Sequence, residues 1–386
     1  MNDFEALATK DHASKLKLAA SISKYYQGKT TDLGLSDFGR IKAYLEASLP
    51  EQSRFIERDI IFAHLGFEPF TSLIAEGKPF TVVSGLNPSS PLHLGHKVMF
   101  DMLLFLQKLG ADIYIPITND ESYLDGKVKS LGESRKIAYE HIIPSIIAFG
   151  FDPKKTKIFV MSDYPEIYNF ALQISKNVTN KYVATVFGED GLDNSGKAFY
   201  RSAVQLAEIL LPQLPEFGGK KPTLIPVGID QHPYILLARD VAKKMGYVPP
   251  AELVFKFQNG LVNPFDKMSG SKPKTAIFLS DTPEVIAKKI QGAYTGAVSS
   301  LAVHQKLGAV PEACSVFALL QFHHPDSAYV QDLYTQYKTG KIASREIKEI
   351  ATKFICELVL DHQKKASAVT KTDEFILKQP LSSVLA

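Results

Sequence analysis

Two short segments of this chain carry side chains suited to handling phosphate. In Ser84-Gly85-Leu86-Asn87-Pro88-Ser89-Ser90-Pro91-Leu92-His93-Leu94-Gly95-His96, Gly85 and Gly95 allow close backbone approach. His93 and His96, three apart on a first helical turn, lie on one face and can both reach a phosphate group. A helix N-terminus adds unpaired N–H groups and a positive dipole end. The second segment, Lys267-Met268-Ser269-Gly270-Ser271-Lys272-Pro273, sets an ammonium and hydroxyls on a small-residue loop, which suits a clamp on a polyphosphate. Each segment alone has a plainer reading: a helix-capping loop with two surface histidines, and an ordinary basic turn. A metal reading of the histidines lacks a third ligand nearby, and a glycine-rich Walker loop is absent. The pairing carries the weight, because the two segments lie 174 residues apart and flank one α/β region.

The elements that must position them follow from pattern. Phe80–Ser84 is a short β-rich run, Pro91–Leu109 an apolar-periodic helix closed by Gly110, and Asp112–Thr118 β-rich again. Strand, helix and strand within about forty residues predict a right-handed crossover in a parallel sheet. Further strands are expected at Lys157–Met161 and Thr223–Ile229, with a helix at Tyr234–Met245 stopped by Gly246. Residues 1–75 read as helices with polar breaks, such as Ser14–Tyr26 and Leu35–Ala47, ended by Leu49-Pro50. From Asp281-Thr282-Pro283-Glu284 onward the chain reads as helical, with a turn at Gly340. The expectation is an α/β nucleotide-type region over 76–281, between a helical segment at 1–75 and a helical one at 282–386.

Composition bounds the setting. A chain of 386 residues, 45% hydrophobic and 22% charged, is a globular protein of two or three domains rather than a disordered or fibrous one. No run approaches the roughly 18 apolar residues that span a bilayer, so no membrane association is expected. Asp3 and Glu5 make the N-terminus a poor signal or transit peptide. The two cysteines, Cys314 and Cys356, exclude a disulfide scaffold and a cysteine zinc site, and point to a reduced, cytoplasmic home. A net charge of +3 neither demands nor forbids a nucleic-acid partner.

The two segments resemble the signature motifs of class I aminoacyl-tRNA synthetases. Thr118-Asn119-Asp120-Glu121-Ser122-Tyr123-Leu124, Lys176-Asn177-Val178-Thr179 and Val227-Gly228-Ile229-Asp230-Gln231-His232-Pro233-Tyr234 resemble, more narrowly, tryptophanyl-tRNA synthetases of the archaeal and eukaryotic kind. The likeness runs from about residue 55 into the C-terminal helices. It implies a Rossmann-like catalytic domain with a connective insertion and an all-helical C-terminal domain that reads the anticodon. It also implies a homodimer and activation of L-tryptophan with ATP and Mg2+, followed by transfer to tRNA(Trp). By resemblance His93, His96, Lys267, Ser269 and Ser271 hold the triphosphate, with Met268 in the same ATP-binding loop. Gly95 lets adenine approach, and Gly228 and Asp230 face the ribose. Glu121, Gln205 and Gln231 hold the α-ammonium, a cation that needs acceptors such as a carboxylate and amide oxygens.

Three positions depart from that pattern. Val83 and Pro116 stand where eukaryotic relatives carry a tyrosine and a glutamine that help hold the indole N–H, and His232 replaces an aspartate. Glu208 falls where bacterial tryptophan enzymes and some archaeal ones carry an aspartate that accepts this N–H, so it is the expected substitute. Tyrosyl-tRNA synthetases also place a carboxylate near this position, which keeps that specificity as an alternative. A small adenylyltransferase with a His-x-Gly-His loop and a non-catalytic synthetase paralogue are further alternatives. In the C-terminal helices Lys338, Lys341, Arg345, Lys348 and Lys353 alternate with Glu346 and Glu349. This is a solvated helix face by charge alone and part of an anticodon-reading region by resemblance.

Overall fold

The structure, a computed structural model, describes residues 11–49, 53–188, 194–298 and 300–385. Asp3, Glu5 and Pro50 lie outside the described residues. Seven strands form one sheet: β1 (Ser36–Asp37), β2 (Ile61–Leu65), β3 (Phe80–Val83), β4 (Ala111–Ile117), β5 (Thr156–Val160), β6 (Thr223–Gly228) and β7 (Ala251–Phe255). Their order is β1-β2-β7-β6-β3-β4-β5. The pairs β3–β4, β3–β6, β4–β5 and β6–β7 are parallel, and β2 adds antiparallel to β7. From β3 the chain winds outward through β4 and β5, then returns to lay β6 on the other side of β3. That reversal opens a crevice at the carboxyl ends of β3 and β6, where open α/β sheets bind ligands. The fold is the Rossmann-like one expected.

Burial explains the crossover helix Leu94–Lys108. Leu94, Val98 and Met102 recur at i, i+4 with Leu103 and Leu106 beside them, all buried, and Gly110 ends the turn at φ +106°. Each such side chain contributes roughly 1.5–3 kcal/mol on burial. On the opposite face of the sheet Ile167, Phe170, Leu206, Leu210, Ile235 and Val241 form a second core. The sheet is therefore covered on both faces, as parallel sheets require.

Two expectations need correction. Residues 36–37 and 61–65, read within a helical N-terminal segment, form β1 and β2, and β7 has no counterpart in the sequence reading. β2 and β7 are five-residue runs with one polar residue each, His64 and Glu252, among apolar ones, which periodicity cannot separate from buried helix. The C-terminal region is helical through Ser344–Ser367, but its last stretch is extended along the sheet. Ile158 of β5 donates to Phe375 O at 2.7 Å and accepts from Leu377 N at 2.8 Å. This covers an edge that would otherwise leave backbone groups unpaired. The helices after residue 282 share one apolar core with the sheet, in which Phe317, Leu320, Ile347 and Val359 join Phe80, Leu94 and Ile115. Arg54 links the same parts, donating from Nε to Phe322 O at 2.9 Å and pairing with Asp101 at 2.5 Å.

Candidate active site

The loop after β3 is drawn tightly against β4. A Cβ on Gly85 would lie 2.2 Å from the Pro116 carbonyl oxygen, so only glycine fits there. His93 is not on the first helical turn as expected. It is the N-cap, with extended backbone (φ −124°, ψ 172°), and it forms a capping box with His96. His93 Nδ1 accepts from Gly95 N at 3.1 Å, and His96 Nδ1 accepts from His93 N at 3.2 Å. The two imidazoles stack with centroids 3.9 Å apart. Burial pushes His93 down to about 2 and His96 down to about 4, with the other cations nearby adding to the effect. Both rings are neutral at physiological pH. With Nδ1 occupied as an acceptor, each carries its proton on Nε2, a donor facing away from the cap.

The Lys267 segment reaches these histidines through backbone pairing. Leu94 N donates to Ile277 O at 3.0 Å, and Leu279 N to Leu92 O at 2.8 Å. Met268 is buried and donates its N–H to Gln258 O at 2.8 Å. A Cβ on Gly270 would sit 2.3 Å from Ser90 Oγ, and one on Gly95 would meet the His93 ring at 2.9 Å. The two segments thus interlock despite their separation in the chain. Ser269 and Ser271 place their hydroxyls 3.0 Å apart. The Lys267 ammonium lies 2.6 Å from Asp230 Oδ2 and over the Phe257 ring, 5.3 Å from its centroid. Phe257 also closes on the end of β6, where a Cβ on Gly228 would lie 2.1 Å from its ring. Phe257 carried no signal in the sequence.

Beyond these phosphate-type groups the crevice deepens into a polar-ended pocket. Glu121, just past β4, accepts at Oε2 from Asn87 Nδ2 and from Thr118 Oγ1, both at 3.0 Å. Gln205 Nε2 reaches Gln231 Oε1 at 3.4 Å. Glu208 is buried, and its Oε1 accepts from the Tyr200 hydroxyl at 3.3 Å. Burial first, then the nearby Asp120 and Glu121 carboxylates, raise Glu208 well above the usual carboxyl range. Burial, with the Glu121 charge adding to it, lifts Asp120 to about 6, although Tyr168 donates to it at 2.8 Å. Among the described residues Glu208 forms no ion pair with a lysine or arginine. Val83 and Pro116 line the same space. One cavity of about 700 Å³ contains all the candidate residues except Asp230, which touches it through Lys267. His232 does not line it. Its Nδ1 lies 2.7 Å from Glu252 Oε2 on β7, both side chains buried.

This arrangement offers ring and hydroxyl donors for a polyphosphate at one end and carboxyl and amide acceptors for an amino acid at the other. A family model described as class I tRNA synthetases (W and Y) matches residues 75–359. The tryptophan–tRNA ligase of Methanocaldococcus jannaschii is 37% identical over 323 residues, 82% of this chain and 86% of that protein. The chain belongs to the class I tRNA synthetases, on the tryptophanyl branch. A crystal structure of tryptophanyl-tRNA synthetase from Aeropyrum pernix superposes on this synthetase with a TM-score of 0.82 at 33% identity, covering 89% of this chain and 93% of that one. Tryptophanyl-tRNA synthetase from Encephalitozoon cuniculi, solved bound to tryptophan, gives a TM-score of 0.78 at 28% identity, covering 91% and 99%. Among the described residues, no helix of this synthetase is long and apolar enough to cross a membrane.

Proposed function

We propose that this chain activates L-tryptophan with ATP, forming tryptophanyl-adenylate and pyrophosphate, and then transfers the tryptophanyl group to the 3′ end of tRNA(Trp). The observation that carries the reading is the single cavity that joins the His93–His96 and Lys267–Ser271 donors to a pocket closed by Glu208. Catalysis in this reading is positioning plus charge stabilisation, with no covalent enzyme intermediate. The amino-acid carboxylate attacks the α-phosphate. Lys267 leaves Asp230 for the departing pyrophosphate, and the two Nε2–H groups and the serine hydroxyls donate to the same oxygens. Mg2+ arrives with ATP as the counter-ion of that substrate. Glu121, Gln205 and Gln231 receive the α-ammonium, and Glu208 accepts the indole N–H in place of the pair that Val83 and Pro116 have lost.

The reading brings with it a homodimer, a cytoplasmic setting and an anticodon-reading surface on the C-terminal helices. ATP–pyrophosphate exchange with each amino acid in turn is the test. Exchange with tryptophan alone supports the proposal. Exchange with tyrosine alone would mean that Glu208 serves a phenol hydroxyl, and no exchange with any amino acid would leave a binding-only paralogue or an adenylyltransferase with another substrate.

A further inference from the structure

Tyr200 stands apart from the residues that the resemblance implicates. It is buried and lines the cavity, and its hydroxyl is 3.3 Å from Glu208 Oε1. Its contact therefore lies at the end of the pocket that suits a ring N–H, while Thr118 bonds Glu121 Oε2 at the end that suits an ammonium. The helix geometry also accounts for the contact. Residues 200 and 208 on a regular α-helix would point roughly 80° apart, at about 3.6 residues per turn. Residues Tyr200–Val204 instead form a π-helical turn, closed by Gln205 N bonding Tyr200 O, and its wider winding takes up most of that offset. Single π-helical turns of this kind are rare and recur at functional sites.

We infer that Tyr200 is a positioning residue for amino-acid specificity: its hydroxyl fixes Glu208 through Oε1, so that Oε2 is presented to the ring N–H of the bound amino acid. This rests on the reading of Glu208 as the indole acceptor. A buried carboxyl with a single weak partner rotates about its terminal torsion, which has a broad energy well. An acceptor that swings discriminates poorly, because the N–H-lacking competitor no longer leaves a fixed group unpaired. The phenol holds one oxygen, and the 3.3 Å separation leaves room to tighten when the substrate arrives. Hydrogen bonding from Tyr200 also opposes the upward push that burial gives Glu208.

The experiment measures ATP–pyrophosphate exchange with tryptophan and with its benzothiophene analogue, in which sulfur replaces the ring N–H. It compares wild type, Tyr200→Phe, Glu208→Leu and the double variant. Tyr200→Phe keeps the ring and its packing, and circular dichroism melts confirm that it folds. The expected result is a loss of about 10-fold in kcat/KM for tryptophan, carried by KM. The analogue should change less than about twofold and the KM for ATP should not move. The double variant should discriminate no worse than Glu208→Leu. Equal losses for both amino acids, or a raised KM for ATP, would make Tyr200 merely structural and overturn the inference. If Glu208→Leu loses discrimination while Tyr200→Phe retains it in full, the acceptor stands and Tyr200 is not its positioner. If neither variant alters discrimination, the acceptor assignment itself fails, and the inference with it.

Discussion

The imidazoles of His93 and His96 lie face to face, 3.9 Å between centroids, and each turns its Nδ1 to a backbone N–H of the same helix start. The cap thereby sets the tautomer: two neutral rings, each with an Nε2–H free to donate. Asparagine at the N-cap and glutamine at the third helical position keep both the capping bonds and an N–H donor. His93→Asn and His96→Gln should therefore lower tryptophan activation less than the corresponding alanines. Single-turnover adenylate formation checks this, and equal negligible losses would reduce the pair to a cap.

The same burial has a pH signature. An unfolded histidine titrates near 6.5, whereas His96 in the fold stays neutral to about 4 and His93 to about 2. Between those values the unfolded chain binds the extra protons, so the stability from these neutral rings is full above pH 6.5 and is lost as pH falls through 4. By pH 5 the loss is roughly 1–2 kcal/mol per ring. Thermal melts at pH 7 and 5 should show a smaller shift for His96→Gln than for wild type.

Lys267 pairs with Asp230 across solvent, the two side chains 53% and 40% exposed, so the ion pair contributes little stability. Lys267→Ala should leave the melting temperature nearly unchanged. The activation rate should fall about 10²–10³-fold, because the ammonium acts on charge that develops on pyrophosphate. Near wild-type activation by this variant would remove Lys267 from the mechanism.

Much of this site was legible because its residues are contiguous. His93 and His96 share one helix start, Lys267 to Ser271 share one loop, and the strands that carry them are short β-rich runs ended by glycine or by a helix signal. What was not legible depends on contacts across the chain. β2 and β7 are short, largely apolar runs whose strand character is fixed by their pairing with each other and with β1 and β6. Phe257 matters because it meets Gly228 and Lys267, and Tyr200 because a π-helical turn carries it to Glu208. His232 looked like a site departure, but its partner is Glu252, which lies 20 residues on in the adjacent strand.

That buried pair yields its own prediction. His232 Nε2 and Glu252 Oε1 have no hydrogen-bond partner among the described residues, so the pair depends on its single 2.7 Å contact. Replacing either residue by leucine leaves the other unpaired and should cost about 1–3 kcal/mol in urea unfolding. The double leucine variant should cost less than the sum of the two.

The basic residues of the C-terminal helices are not equivalent. Arg345 is 86% exposed and pairs with Glu349 one turn on, whereas the Lys348 ammonium docks on the Gln291 carbonyl at the end of another helix. Arg345→Glu should weaken tRNA charging most at low salt, and less as salt screens the interaction, while leaving pyrophosphate exchange intact. Lys348→Glu should lower the melting temperature as well. A filter assay of tRNA charging beside an exchange assay separates the two effects.

The most direct test is kcat/KM for tryptophan-dependent exchange in wild type, Glu208→Gln and Glu208→Leu. Glutamine keeps the shape of Glu208 and one accepting oxygen, so the loss should be less than about 10-fold. Leucine leaves the indole N–H unpaired in a buried pocket, which costs about 1–3 kcal/mol, or roughly 5- to 150-fold. Glu208→Leu at wild-type efficiency would contradict the account, because tryptophan would then be recognised by another acceptor.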